Sequence, residues 1–344
     1  MWPDTLHPAI RIGIASGGEE TQVTVVAVFR ILIRRIVLLV PLMLGIIMFV
    51  FIVMRFSDSD PASAYFQGAN PTEQQLHDFR ERNGLLDPFI VRYFDFVGDL
   101  LRGDMGVSAL TRAPVVDQVT TALPLTMQLT FLGLGIAVVL ALLGGVTAAI
   151  YRDRFPDQLI RVVSLTGVAA PGFWLALLMI QYLAVDAGWF PTSGYVNPAD
   201  SLTGWLKTMT LPALALSLPV AAQLTRIVRT AVVEELDRDY VRTAIGSGLP
   251  PVVVVGRNVL RNALMNPLTV LGLRVGYLLG GAVVIETIFN LPGMGKLMID
   301  AVKNGDPAVV QGGVLTIAFG FVIVNLFIDI LYLLVNPRLR SAEA

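Results

Sequence analysis

Three polar residues lie inside apolar stretches, where ionisable groups are costly. Arg274 and Asp329 fall well inside two of these stretches, and Asn325 lies one helical turn before Asp329. A charge at the middle of a bilayer costs about 2.5–3.5 kcal/mol on insertion scales, so opposite charges there are expected to pair. We predict that Arg274 and Asp329 form an ion pair across adjacent helices, with Asn325 beside them. A helix-pinning role and a polar lining of a membrane passage both remain open.

A carboxylate precedes a glycine-rich turn near the end of one apolar stretch. Glu286 and Phe289 are followed by Pro292, Gly293 and Gly295, which predict a re-entrant turn or an outer gate in segment 289–308. Glu286 is open to three interpretations: an interfacial carboxylate, a structural cap partner, or a contact for a ligand with a free amino group.

A second glycine pattern lies earlier in the same stretch. Gly272, Gly276 and Gly280 recur every four residues, which places them on one face of a helix. Small residues at this spacing allow close packing of membrane helices. We predict that this face packs on a neighbouring helix, in this chain or in a partner.

The sequence lacks the residues that several kinds of catalysis require. The chain has no Cys and only two His, His7 and His77, in different segments and without an H-E-x-x-H motif, so we predict no metal site. The phosphate-binding pattern G-x-x-x-x-G-K-[ST] is absent, so we do not expect this chain to hydrolyse ATP or bind a cofactor. Asp329 is the one Asp deep in an apolar stretch, which argues against an intramembrane hydrolase.

Composition identifies the elements that must position these residues. Of 344 residues, 55% are hydrophobic and 15% are charged, against about a quarter charged in soluble chains. The net charge of −1 gives no sign of a nucleic-acid partner. A helix needs about 20 apolar residues to cross a bilayer. We therefore predict an all-α integral membrane protein with six transmembrane helices: Ile36–Met54, Met127–Ile150, Val162–Val185, Met209–Thr225, Pro267–Ile288 and Val309–Val335.

Basic residues predict the orientation of these helices. Short segments on one side carry 15 arginines: Arg11, Arg30, Arg34, Arg35, Arg152, Arg154, Arg161, Arg226, Arg229, Arg238, Arg242, Arg257, Arg261, Arg338 and Arg340. Because basic residues mark the cytoplasmic side, both termini are expected there. The predicted organisation is a cytoplasmic extension (1–28), a lead-in with the first helix (29–54), a small extracytoplasmic helical region (55–126), a core of five helices (127–335) and a cytoplasmic tail (336–344).

The cytoplasmic loop 226–266 is longer than a simple connection requires. It is rich in charge, and Tyr240–Ala244 favours a short helix that Gly246, Gly248 and the Pro250-Pro251 pair interrupt. Most connections between helices take only about 2–8 residues. A helix-glycine-turn-helix unit of this kind is suited to carrying force from a soluble partner into the membrane.

At this loop the sequence resembles the permeases of ATP-binding-cassette importers. Their loop pattern is E-A-A-x3-G, and the peptide and nickel branch often has Arg-Thr at the first two positions, as at Arg242-Thr243, with Ala244 and Gly248 matching the rest. The resemblance covers about residues 29–340. It includes these further motifs: Gly103-Asp104-Met105-Gly106, Pro171-x-Phe173-Trp174, Glu286-Thr287-x-Phe289-x-x-Pro292-Gly293-x-Gly295, Val309-Val310-Gln311-Gly312 and Asn336-Pro337-Arg338. Together they look like the first permease subunit of dipeptide or oligopeptide importers.

The resemblance implies a type I-like permease fold in a bacterial plasma membrane and a set of partners. These are a second homologous permease, two ATPase subunits that bind ATP and Mg, an extracytoplasmic solute-binding protein and membrane lipid. The ATPase-coupling helix would comprise Asp239, Tyr240, Arg242, Thr243, Ala244, Gly248 and Leu249. Peptides, nickel complexes and glutathione pass through similar permeases, so the cargo stays open.

Three features depart from the family pattern. Residues 1–28 are additional, Asn266 precedes Pro267 where a proline is usual, and Pro250–Val255 is apolar where charge is common. The alternative function is an ion- or proton-coupled secondary transporter, which often shows internal repeats and broken helices in matching halves. We find no such repeat in the sequence.

Overall fold

The computed structural model describes residue 37 and residues 39–54, 61–66 and 69–335, and at 61, 64, 266 and 328–335 it describes the backbone alone. The predicted N-terminal extension 1–28, the start of the first predicted helix at Ile36 and the tail 336–344 lie outside the described residues. In the described part of the chain every regular element is helical, as the composition predicts.

The first helices form a unit before the long ones begin. Helix α1 spans Leu39–Met54, and three shorter helices follow: α2 (Pro61–Tyr65), α3 (Glu73–Arg82) and α4 (Phe89–Leu101). Helix α3 begins with a capping box. The Thr72 hydroxyl accepts from the Gln75 amide, and the Gln75 side-chain oxygen accepts from the Thr72 amide. Aromatic rings of α1 and α4 pack edge to face, which fastens α4 to α1.

A long helix and a bent pair come next. Helix α5 spans Val115–Ile150, and a turn leads into α6 (Phe155–Ala169). Helix α7 (Gly172–Met179) continues as a π-helical segment, Ile180–Asp186, and its axis is bent by 102° from that of α6. Ala170 and Pro171 at the bend are extended, because a residue before proline is forced out of the α-helical region.

Helix α8 (Leu202–Leu236) is long and contains Pro212 and Pro219 without ending at either. It is followed by the short α9 (Asp239–Gly246), then by α10 (Pro251–Val253), a π-helical segment (Val254–Val259) and α11 (Leu260–Ala263). These pieces lead into α12 (Met265–Ile288). Helices α13 (Met294–Lys303) and α14 (Pro307–Val335) complete the described chain.

The core lies between α5, α8 and α12. Their buried side chains form one hydrophobic cluster that includes Leu129, Leu216, Leu278, Ile285 and Phe289. A second cluster joins the end of α8 to α9 and to the helices before α12. A third packs the start of α5 on α13 and α14. The clusters therefore run the length of α5 and α8.

The predicted membrane helices are recovered in part. Among the described residues, four helical segments are long and apolar enough to cross a membrane: Val115–Ile150, Leu202–Leu236, Pro267–Ile288 and Pro307–Phe327. The described part of α1 is shorter than a full span. Over the predicted span Val162–Val185 the helix is broken at Pro171, and only the bent pair together has the length and composition of a span. Helices α5 and α8 also begin earlier than predicted, at Val115 and Leu202.

Candidate functional site

A glycine two residues after α9 closes this short helix in a conformation that favours glycine. Gly248 has φ +81°, and the amide of Leu249 donates to the carbonyl of Ala244 over 3.3 Å. This arrangement closes a helix in the left-handed conformation that glycine adopts without strain. Pro250 and Pro251 then start the next helical piece, because proline suits the first turn of a helix.

The inner face of α9 is fixed by one apolar and several polar contacts. Val241 is buried in the cluster formed with Val232 of α8 and with the helices that follow α9. The Tyr240 hydroxyl donates to a Glu235 oxygen over 2.7 Å, and the Asn262 amide donates to the same oxygen over 3.2 Å. Partial burial and the hydrogen bond to Glu235 raise the pKa of Tyr240, so the hydroxyl keeps its proton and remains a donor. Helix α9 is thereby held between α8 and α11.

The exposed side of α9 is mainly polar, and exposed apolar side chains begin at its end and continue in the segment after it. Ile245, Leu249, Val252 and Val253 are exposed, and the predicted site residues Asp239, Arg242 and Thr243 are exposed beside them. Arg242 reaches Asp239 at 3.8 Å, a loose surface pair. An exposed apolar edge rimmed by charge is typical of a protein contact. We call the surface formed by Ile245, Leu249, Val252 and Val253 the α9 edge.

The predicted gate residues meet around one buried carboxylate. Glu286 has 0% exposure and accepts hydrogen bonds from the Thr126 hydroxyl (2.6 Å), the Gly295 amide (2.8 Å) and the Lys296 amide (3.3 Å). The Met294 amide in turn donates to the Thr126 hydroxyl over 2.9 Å. Every one of these donors is electrically neutral, and they lie on α5 and in the first turn of α13. We call residues 289–296 the outer turn.

Glycines let the outer turn lie this close to α12. A Cβ on Gly293 would lie 2.4 Å from the Glu286 carboxylate carbon, and one on Gly295 would lie 2.3 Å from Val283 Cα. Phe289 is buried beneath the turn, whereas Pro292 is exposed. Pro292 and Lys296 line a cavity of about 440 Å³ together with Asp117 and Asp300. In this structure Glu286 therefore binds the turn, and its side chain is not exposed to the cavity.

The predicted ion pair falls partly outside the description. Arg274 is partly buried, and its Nε has no hydrogen-bond partner among the described residues. The Asp329 side chain lies outside the described residues, so the pairing with Arg274 stays a prediction. Asn325 donates to the carbonyl of Phe321 over 2.8 Å, one turn back in its own helix.

Glycine packing is found in α12 and, more extensively, in α5. A Cβ on Gly276 would lie 2.6 Å from the Phe321 ring of α14, while one on Gly280 would meet nothing within 4 Å in this chain. Gly272 is buried. Sequence reasoning overlooked α5, where a Cβ on Gly145 would lie 2.7 Å from Val228 of α8 and one on Gly144 would lie 3.1 Å from Thr225. The adjacent glycines in an otherwise apolar helix were the available signal.

A second buried carboxylate was overlooked as well. Asp157, in the first turn of α6, has 0% exposure and accepts from Arg229 of α8 through Nε (2.6 Å) and Nη2 (2.7 Å). Arg161 Nη2 donates to it over 2.8 Å and the Asp153 amide over 2.9 Å. The spacing of Asp157 and Arg161, one helical turn apart, was the only local signal. We call Asp157, Arg161 and Arg229 the α6–α8 ion cluster.

Two further groups involve residues of the region between α1 and α5. Asp306, before α14, accepts from the Ser108 hydroxyl and lies on a cavity of about 940 Å³. On α3 the ligand atoms of His77, Asp78 and Glu81 come within 4.8 Å of one another, a spacing that could hold a metal ion. Exposed polar clusters of this kind are common on helix surfaces without a metal.

Comparison with known proteins defines the class. Residues 141–341 match the family described as binding-protein-dependent transport system inner membrane component, and residues 28–130 match its N-terminal family. The chain belongs to this family and is thus a multi-pass inner-membrane transport subunit of an ATP-binding-cassette importer. Membership does not favour the alternative of a secondary transporter.

Individual relatives extend over nearly the whole chain. A protein named as a peptide transport system permease from Brucella abortus is 37% identical over 310 residues, covering 90% of this chain and 98% of the relative. The glutathione transport system permease protein GsiC of Escherichia coli K12 is 34% identical over 308 residues, with the same coverage. A crystal structure of an amino acid ABC transporter with histidines aligns with a TM-score of 0.42 at 18% identity, covering 64% of this chain and 94% of that chain.

Proposed function

We propose that this chain forms half of the translocation pathway of an ATP-driven peptide importer and receives the motion of an ATPase through α9. Relatives named for peptide and glutathione transport support the cargo class. In this arrangement a second homologous permease supplies the other half, two ATPase subunits bind ATP and Mg, and an extracytoplasmic binding protein delivers the peptide. The chain itself is non-catalytic.

The orientation that this function requires follows from the arginines. Arg152, Arg161, Arg229 and Arg242 lie on the segments around α9, which favours the cytoplasmic side for α9 and for both termini. The region 55–126, with α2, α3 and α4, then lies outside together with the outer turn. A gate at the outer turn and a coupling helix at α9 fall on opposite faces of the membrane, as an importer requires.

The observation that carries the coupling role is the two-sided character of α9. Its inner face is anchored by Val241 and Tyr240, so a force on it reaches α8 and α11. Its outer face leaves the α9 edge free for a partner. A helix that is fixed on one face, and that leaves charged residues and a following apolar segment exposed, is suited to a groove on a soluble subunit.

Leu249 allows a direct test, because its apolar side chain is exposed on the α9 edge. In the purified complex reconstituted in liposomes, we expect Leu249→Asp to lower ATP-driven uptake of a labelled peptide by about tenfold or more, since a charge is placed in an apolar contact. Leu249→Met is the control, because it keeps an apolar side chain of similar volume.

The outcomes separate the parts of the proposal. Normal uptake by Leu249→Asp would overturn the role of the α9 edge. A wild-type complex that assembles and takes up no peptide with ATP and the binding protein would overturn the function as a peptide importer. Uptake of glutathione with no uptake of other peptides would narrow the cargo to that tripeptide.

A further inference from the structure

The α6–α8 ion cluster joins two helices that have different neighbours. Asp157 stands in the first turn of α6 and Arg229 lies in α8, two turns before that helix ends at Leu236. The Arg229 guanidinium donates two hydrogen bonds to the Asp157 carboxylate, one to each oxygen, of 2.6 and 2.7 Å. A bidentate pair fixes the relative orientation of its two helices as well as their distance.

On the α8 side, the cluster lies next to the root of α9. Only Asp237 and Arg238 separate α8 from α9, and Val232 of α8 shares a buried cluster with Val241 of α9. Arg229 and Leu236 are seven residues apart in a continuous helix, or about 10 Å. A displacement of α9 therefore displaces Arg229 through rigid, packed structure.

On the α6 side, the cluster acts on the bent span. Asp157 lies near the start of helix α6, and the 102° bend at Ala170 and Pro171 follows its end. Near that bend a Cβ on Gly167 would lie 2.8 Å from Ala222 of α8, so α6 also touches α8 closely at its far end. Helix α6 is thus fastened to α8 at both ends, by charge at the start and by close contact before the bend.

Burial makes this connection hard to open partway. Asp157 has 0% exposure, and Arg229 has 20%. If the pair opens, Arg229 loses the carboxylate and Asp157 keeps only Arg161 and the Asp153 amide, so separating the two groups is costly. A nearby exposed pair, Arg152 Nη1 and Asp237 Oδ2 at 2.9 Å, lacks this property because water competes for it.

We infer that Asp157 is a positioning residue for transport: through Arg229 it makes α6 follow α8, so that movement of α9 reaches the bend at 170–171. This inference rests on the proposed function, because it assumes that α9 receives the motion of an ATPase. Asp157 acts through the helices and touches no cargo.

The ratio of peptide taken up to ATP hydrolysed is the decisive quantity. It is measured on one batch of liposomes containing the complete complex and binding protein, by labelled peptide and released phosphate. For Asp157→Asn and for Arg229→Lys we expect the ratio to fall about tenfold while ATP hydrolysis continues, which lies within the usual range of coupling between sites. Asp237→Asn is the matched control, and we expect its ratio to equal that of the wild type.

The ratio distinguishes positioning from a purely structural role. A structural role would lower the yield of complex but leave the ratio of the surviving complexes unchanged, and that result would overturn the inference. Arg229→Lys keeps the charge and loses the fork of donors, so it decides the question if Asp157→Asn does not assemble. In the double variant the loss should be no greater than in the single ones, because both remove the same pair. Absence of ATP-driven uptake in the wild type would instead contradict the proposed function.

Discussion

Two fully buried carboxylates hold the two ends of this molecule in different ways. Glu286 accepts from a hydroxyl and two backbone amides, all of them neutral, and the turn it holds is packed through Gly293 and Gly295. Asp157 accepts from two guanidiniums and one amide, and the exposed pair Arg152–Asp237 lies near it. The first arrangement depends on exact fit, and the second on charge.

The difference suits the work proposed for each end. A carboxylate satisfied by backbone amides is bound to one local backbone geometry, because moving the turn removes its donors. A carboxylate held by long arginine side chains joins helices that are distant in the sequence and tolerates their joint movement as one body. The outer turn therefore keeps its local shape and can act as a gate only by moving as one piece, whereas the α6–α8 ion cluster links two helices that move.

Removing the charge at Asp157 should have the largest effect on stability. Asp157→Ala leaves Arg229 partly buried without its partner, and we expect a loss of about 3 kcal/mol in the free energy of unfolding, at the low end for broken buried pairs because Arg161 and part of Arg229 reach water. Denaturant unfolding of the purified chain in detergent measures it. A loss below about 1 kcal/mol, typical of a surface pair, would remove the contrast with the exposed pair.

Disturbing the fit of the outer turn should come second. In Gly293→Ala the new Cβ would lie 2.4 Å from the Glu286 carboxylate carbon, which three hydrogen bonds hold in place. We expect a loss of about 2 kcal/mol, as for other overpacked sites. Gly98→Ala in α4 is the control, because no described atom lies within 4 Å of the added Cβ, and it should be neutral or stabilising. Equal effects of the two variants would show that the outer turn does not depend on close packing.

Changing the chemistry of Glu286 at constant shape should cost less. Gln carries one acceptor oxygen, so Glu286→Gln cannot accept from both Thr126 and the Gly295 and Lys296 amides as the carboxylate does. We expect a loss of about 1 kcal/mol in the free energy of unfolding, measured as above. Thr126→Ser, which keeps the hydroxyl, should stay close to the wild type. Unchanged stability in Glu286→Gln would mean that the turn does not require two acceptor oxygens at this position.

Sequence reasoning recovered what depends on neighbours along the chain. Apolar runs located α5, α8, α12 and α14, and Gly248 was expected to interrupt the helix at α9, where the structure has it in the left-handed conformation. The bend at Pro171 was missed because hydrophobicity continues unchanged across it, although the residue before a proline rarely stays helical.

The long-range contacts could not be derived in this way. Glu286 and Thr126 are 160 positions apart, and Asp157 and Arg229 are 72 apart. Whether a carboxylate is buried with its partners depends on which helices lie side by side, and the amphipathic pattern alone does not specify that. From the sequence, Arg229 was therefore interpreted only as a sign of membrane orientation. Its role in the ion cluster is seen only in the three-dimensional structure.

The smallest effect is expected at the exposed pair between Arg152 and Asp237, where the side chains are 49% and 62% exposed. Its oxygen and nitrogen are 2.9 Å apart, close to the 2.6 Å between Arg229 and Asp157, so distance alone would rank the two pairs together. Water and salt screen the exposed charges, and we expect Asp237→Asn to lower the free energy of unfolding by about 0.5 kcal/mol or less. Measurement in low and high salt checks the reason: the small loss should vanish in high salt, whereas the loss in Asp157→Ala should persist. A loss at Asp237 as large as that at Asp157 would mean that burial does not separate the two pairs.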